Sequence, residues 1–318
     1  MKNSKTVIFT PIFVSVLFFL MTLSEKLLKV IYQNSGADIV FSSAIVQLFI
    51  FAIPAAFFCK VRGMSFPEKS GMKKVKFSFT PFIVASSFTY ILTVLILLYV
   101  QYNFISSPSD ATSILSLQDI EPSPHSLLLN FVIVPAIVEE FFFRSIIISD
   151  YKDFGGPVAV TVSALFFAML HFSFESFLLY FSLGVILGTV TFVTGSTFPS
   201  FFIHLINNLV SVYFGDSIGV FLKESSSSII LVFLLVVIFM AAFSSMLSSM
   251  EDIYEKRSAL FDSGELEGSR RTVLENTARA GRVDKKKDNK RDGKQKVFLS
   301  PTFLFTLFLF LLITLDVI

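Results

Sequence analysis

Apolar residues in this chain do not alternate with polar ones; they come in long blocks separated by short polar links. Crossing the hydrocarbon core of a bilayer takes about 20 predominantly apolar residues in a helix. By that measure the pattern predicts nine spans, at 7–23, 38–59, 79–100, 126–148, 158–172, 177–194, 198–214, 229–247 and 298–315. The fifth to seventh are short and closely linked, which suits tilted or shallow segments. The predicted fold class is all-α, a polytopic transmembrane helical bundle over 1–250, followed by a charged segment at 251–297 and a C-terminal helix at 298–318.

Composition strengthens this reading. Charged residues make up 16% of the chain and hydrophobic ones 53%, whereas a soluble domain carries about 25% charge. Half of the Lys and Arg, 13 of 26, fall between Glu251 and Lys296. The remainder is too poor in charge for a soluble surface, and no feature points to nucleic acid. The single cysteine, Cys59, excludes an internal disulfide framework and a cysteine metal cluster. The first apolar run follows Lys2 and Lys5 as a signal peptide would, but no A-x-A site closes it, so it reads as an uncleaved span.

Lys and Arg collect in cytoplasmic loops. Lys60, Arg62, Lys69, Lys73, Lys74 and Lys76 follow the second span, residues 101–125 hold no Lys or Arg, and the charged insert follows the eighth span. A cytoplasmic amino terminus with nine crossings places every basic loop inside. The insert reads as a flexible cytoplasmic segment. Within it, 269–282 suits a helix, and the basic end at 285–296 is placed to meet anionic lipid headgroups.

Ionisable side chains within spans are costly and face the protein interior, so they are candidates for function. The fourth span carries Glu139, Glu140 and Arg144, the fifth His171, and the seventh His204 with Asn207 and Asn208. Glu140 and Arg144 stand i and i+4 and are predicted to pair on one helix face. Glu139 points about 100° away from Glu140, toward a different neighbour. His204 and Asn208 again share a face, Asn207 being offset from it. Pro135, one turn before Glu139, is expected to kink the helix. At 1.5 Å per residue, Glu139 lies about 13 Å from the cytoplasmic end of its span, His171 about 20 Å, His204 about 9 Å and Asn208 about 15 Å. All fall in the inner-to-middle bilayer, so three helices can bring a carboxylate, two imidazoles and an amide to one buried point.

Such a group can activate water. Glu139 is suited to be a general base for a water placed by His171, with His204 and Asn208 donating to an oxyanion. Two histidines and a glutamate are also a zinc ligand set, which makes Glu139, His171 and His204 possible ligands of Zn2+, although H-E-x-x-H is absent.

Glu139-Glu140-x-x-x-Arg144, Phe167-x-x-x-His171 and His204-x-x-x-Asn208, in that order, resemble the three motifs of the CAAX-protease and bacteriocin-processing (CPBP, or Abi) family. The resemblance covers about 127–212. It implies an eight-span core and a membrane-embedded endopeptidase, described in the family both as glutamate-dependent and as a metalloprotease. Glu139, His171, His204 and Asn208 would be catalytic, and Glu140, Arg144 and Phe167 supporting. The implied substrate is a membrane-associated protein or peptide. Short loops, Phe-rich spans and a lone cysteine fit a bacterial cell membrane. The competing reading is a non-catalytic immunity or scaffold protein, or a proton-coupled transporter. Gly184-x-x-x-Gly188 reads as a helix-packing pair.

Overall fold

The computed structural model describes residues 2–35, 39–63, 71–104, 123–225, 228–262 and 297–315. All regular structure among them is helical. Among the described residues nine helices follow one another: α1 (Lys2–Ser35), α2 (Ile39–Val61), α3 (Thr80–Phe104), the composite α4 starting at Pro124–Leu127 and ending at Ile148–Tyr151, α5 (Gly156–Met169), α6 (Phe177–Thr194), α7 (Phe198–Glu224), α8 (Ile229–Asp262) and α9 (Pro301–Thr314). A multi-span helical membrane protein is the result. Stretches of α1, α2, α3, α6, α7 and α8 are long and apolar enough to cross a membrane, whereas α5 and α9 are apolar but shorter. In lipid only helices or closed barrels satisfy the backbone, and apolar side chains are free to face outward. Ile229, Ile230 and Phe233 of α8 are exposed accordingly.

Hydrogen bonds show which helix ends lie together. At one end Arg62, just after α2, donates to Thr6 of α1 at 2.7 Å and pairs with Asp150 of α4, which also accepts from Thr10 at 2.6 Å. The segment leading into α3 joins the α6–α7 turn there: the Thr197 N–H donates to the Gly71 carbonyl at 2.9 Å and the Ser196 hydroxyl to the Lys73 carbonyl at 2.7 Å. Gly71 has φ +66 and lies against Ser145 and Thr197, so a side chain there would be both strained and crowded. At the other end Gln101 of α3 donates to Ser176, just before α6, at 3.0 Å, and Asn103 to the Leu222 carbonyl of α7 at 3.4 Å. Consecutive helices from α1 to α7 therefore alternate in direction.

Helix α9 docks on α1 through a backbone group released by proline. Pro11 has no N–H, so the carbonyl of Val7, four residues earlier, lacks its helical donor. Thr302 fills that position, its hydroxyl donating to the Val7 carbonyl at 2.8 Å, and Thr306 donates to the Pro11 carbonyl at 2.9 Å. The last helix is thus an integral part of the bundle.

Two apolar clusters fill the interior. One is built from α1, α2, α4, α5 and α9, with Phe13, Phe142, Phe143 and Phe167 among its members, and the other from α3, α6, α7 and α8 around Tyr90, Leu187 and Ile203. Helices α5 and α6 pack together closely. A Cβ on Gly184 would stand 2.9 Å from the Ala164 Cα, and one on Gly188 3.1 Å from Val160 Cγ1. These two glycines let the backbones approach.

The element boundaries differ from the sequence pattern in informative places. Helix α5 stops at Met169, leaving His171 in a turn instead of on a span, because Phe172 adopts φ 46 and redirects the chain. The fourth predicted span is not a uniform α-helix: Leu128–Ile133 and Glu140–Ile147 are π-helical, flanking α-helical Val134–Glu139. Pro135, with no N–H to donate, follows the first π segment. The charged segment begins inside a helix, since α8 continues to Asp262. The helix suggested at 269–282 and the basic end at 285–296 lie outside the described residues.

Gly184→Leu is expected to lower stability by about 1–3 kcal/mol through overpacking against α5, with Gly188→Ala milder because Val160 presents only a side-chain methyl. Thermal unfolding of the detergent-solubilised protein measures both.

Candidate active site

The site begins at the change of helix type in α4. Val134 donates its N–H to the Leu129 carbonyl and Ile148 to that of Phe143, both five residues back, while Glu140 keeps the shorter bonds to Ala136 and Ile137. Glu139 ends the α-helical segment and Glu140 opens the wider π turn. Both carboxylates reach the same imidazole instead of different neighbours, which corrects the expectation for Glu139. His204 of α7 has Nδ1 at 3.0 Å from Glu140 Oε1 and Nε2 at 3.9 Å from Glu139 Oε2.

Glu140 also meets Arg144, whose Nη1 lies 3.2 Å from the same Oε1. Both side chains are completely buried. The Nδ1 of His204 donates to this carboxylate, a bond that fixes the imidazole's plane. Among the described residues no guanidinium nitrogen of Arg144 makes a well-aligned hydrogen bond. Its charge is met by Glu140 and by the face of Phe167, 4.3 Å from ring centroid to Cζ. A desolvated cation over an aromatic face is worth about 2 kcal/mol.

Phe167 is more than a spacer for His171. It meets Arg144 with its face and touches His171, His204 and Phe143 at edge-to-face angles of 70°, 85° and 84°. His171 donates from Nδ1 to the Phe167 carbonyl at 2.9 Å, which leaves Nε2 as its lone-pair nitrogen. Asn208 lies one turn beyond His204, half-buried, and no bond links it to the glutamates; its Oδ1 accepts from Asn207 Nδ2 at 3.4 Å, leaving its own N–H groups as donors. His125 is exposed in the first turn of α4, remote from Glu139, and Cys59 is buried in the core. The candidate zinc ligands Glu139, His171 and His204 are not gathered as a ligand set: among the described residues no three His, Cys, Asp or Glu side chains are placed to hold a metal.

Residues that sequence reasoning passed over complete the surroundings. Tyr180 of α6 stacks on His171 with ring centroids 3.4 Å apart. Tyr90 of α3, almost fully buried, lies within electrostatic range of Glu140, Arg144 and Glu139. Ser200 is buried one turn before His204 and engages Glu140. Only Ser200 had a signal in the sequence, the i, i+4, i+8 row of Ser200, His204 and Asn208.

Residues 121–210 match the family model of Type II CAAX prenyl endopeptidase Rce1-like proteins. The resemblance read from the three motifs is borne out over this segment. The Rce1-like segment holds Glu139, Glu140, Arg144, Phe167, His171, His204 and Asn208, and spans α4 to the first half of α7. Helices α1, α2, α3, α8 and α9 lie outside it. No curated protein and no solved structure shows significant similarity to the chain.

Glu140→Ala would strand the Arg144 charge in the interior and is expected to destabilise the protein by about 3–5 kcal/mol. Combining it with Arg144→Leu recovers a large part of that loss in thermal unfolding, because the unpaired cation disappears with its partner.

Proposed function

We propose that this protein is an intramembrane endopeptidase that hydrolyses a peptide bond of a membrane-associated protein or peptide, using water activated by Glu139. One observation carries the reading: both motif glutamates converge on His204 in a buried seam between the two apolar clusters, inside the Rce1-like segment. A water that donates one O–H to Glu139 and the other to Nε2 of His171 keeps a lone pair for the scissile carbonyl. Glu139 takes a proton as the oxygen attacks. The Asn208 amide and the Nε2–H of a His204 imidazolium, whose Nδ1–H stays on Glu140, donate to the resulting oxyanion. Collapse breaks the C–N bond, and the proton passes from Glu139 to the leaving amine. Glu140 and Arg144 hold His204 and do not touch the reacting atoms.

The reading includes nine crossings with the amino terminus in the cytoplasm. Lys60, Arg62, Lys73, Lys74 and Lys76 belong to the bundle end that carries Thr6, Asp150 and Ser196, and the positive-inside tendency assigns that end to the cytoplasm.

Membrane proteomes of cells carrying the wild type or Glu139→Gln provide the test. A precursor should accumulate only with the variant, and its purified cleavage should fall by about 10²–10⁴-fold in Glu139→Gln. His204→Ala should be comparably impaired. Full cleavage by Glu139→Gln, with normal membrane insertion, would sink the assignment.

A further inference from the structure

His171 is an unusual place for a fixed imidazole. It follows the end of α5 at Met169, in a turn beside Phe172 at φ 46, so helical packing does not hold its ring. One hydrogen bond, from Nδ1 to the Phe167 carbonyl, leaves the ring free to swing about that contact. Two aromatic contacts remove the freedom. Phe167 meets the imidazole edge-on at 5.0 Å and 70°, and Tyr180 lies flat against it at 3.4 Å and 15°. Tyr180 and Phe167 also meet each other at 79°. The Tyr180 ring arrives from the first turn of α6, whose distance from α5 is set by Gly184 against Ala164.

We propose that Tyr180 is a positioning residue that clamps His171 in its Nδ1–H tautomer, presenting Nε2 as a proton acceptor. The role belongs to the aromatic face. The phenol is within electrostatic range of Glu139, so the hydroxyl is the competing source of any effect and has to be tested separately. The catalytic consequence rests on the proposed placement of water by His171, whereas the clamp itself does not.

The chain has three histidines, so the full-length protein labelled with 15N-histidine in lipid nanodiscs gives three imidazoles, assigned by substituting each in turn. The wild type should show His171 as the Nδ1–H tautomer, with ring protons shifted upfield by the stacked phenol. Tyr180→Phe should retain both signatures. Tyr180→Leu and Tyr180→Met should lose the upfield shift and show mixed tautomers, with His204 unchanged as the sign of an intact fold. With the precursor that accumulates in Glu139→Gln cells as substrate, Tyr180→Leu should lower kcat about 10- to 100-fold while KM stays within about twofold, and Tyr180→Phe should remain within about twofold of wild type.

A wild-type tautomer in both Tyr180→Leu and Tyr180→Met overturns the clamp. Tyr180→Phe behaving like Tyr180→Leu transfers the role to the hydroxyl and equally overturns it. Wild-type kcat in Tyr180→Leu alongside an inactive Glu139→Gln removes the catalytic consequence and leaves the Glu139 reading intact. An active Glu139→Gln removes that reading instead, and the imidazole spectra still decide the clamp.

Discussion

The burial of Arg144 is the constraint on which the rest of this structure depends. A guanidinium cannot lose its charge in a protein, so a fully enclosed one must be compensated by its surroundings. Glu140 supplies the countercharge, and its carboxylate and that of Glu139 both lie against His204 of α7. The paired Glu140 then becomes an acceptor for His204, and Phe167 closes over the cation. One ion pair thus orients an imidazole on a different helix and fixes the position of α5.

Helix packing supplies the remaining precision. The α5–α6 hairpin is drawn close by Gly184 and Gly188, and the close approach lets a tyrosine at the start of α6 reach a histidine just beyond the end of α5. Outside the Rce1-like segment the same economy of polar groups recurs. Pro11 releases a carbonyl that Thr302 claims, joining the first and last helices. Arg62, Asp150, Thr6 and Thr10 form a polar knot at one end of α1, α2 and α4. In an apolar solvent these few bonds specify which helices are neighbours, because apolar packing against lipid and against protein differ little.

Much of the site was legible because charge is scarce in the spans. Glu139, Glu140, Arg144, His171 and His204 stand out against a lipid-like background, and the i, i+4 rule anticipated the Glu140–Arg144 pair. That rule misled for Glu139, since it says nothing of a neighbouring helix that sets one imidazole against both carboxylates. It misled again at His171, which an apolar run through 172 placed on a helix that in fact ends at Met169. Tyr90 and Tyr180 left no trace, because each is one aromatic among many and acquires its role from a neighbouring helix.

The sequence by itself determined that the chain is helical and membrane-spanning, and which polar residues had to be buried, since apolar run length and the penalty for intramembrane charge act locally. Only the tertiary structure decided which of those residues share a partner. Two adjacent glutamates meet opposite nitrogens of His204, 64 and 65 positions further along the chain, and a tyrosine on one helix holds a histidine at the end of another. Such encounters depend on how closely helices approach and how their backbones are wound, and no window along a single helix contains that information.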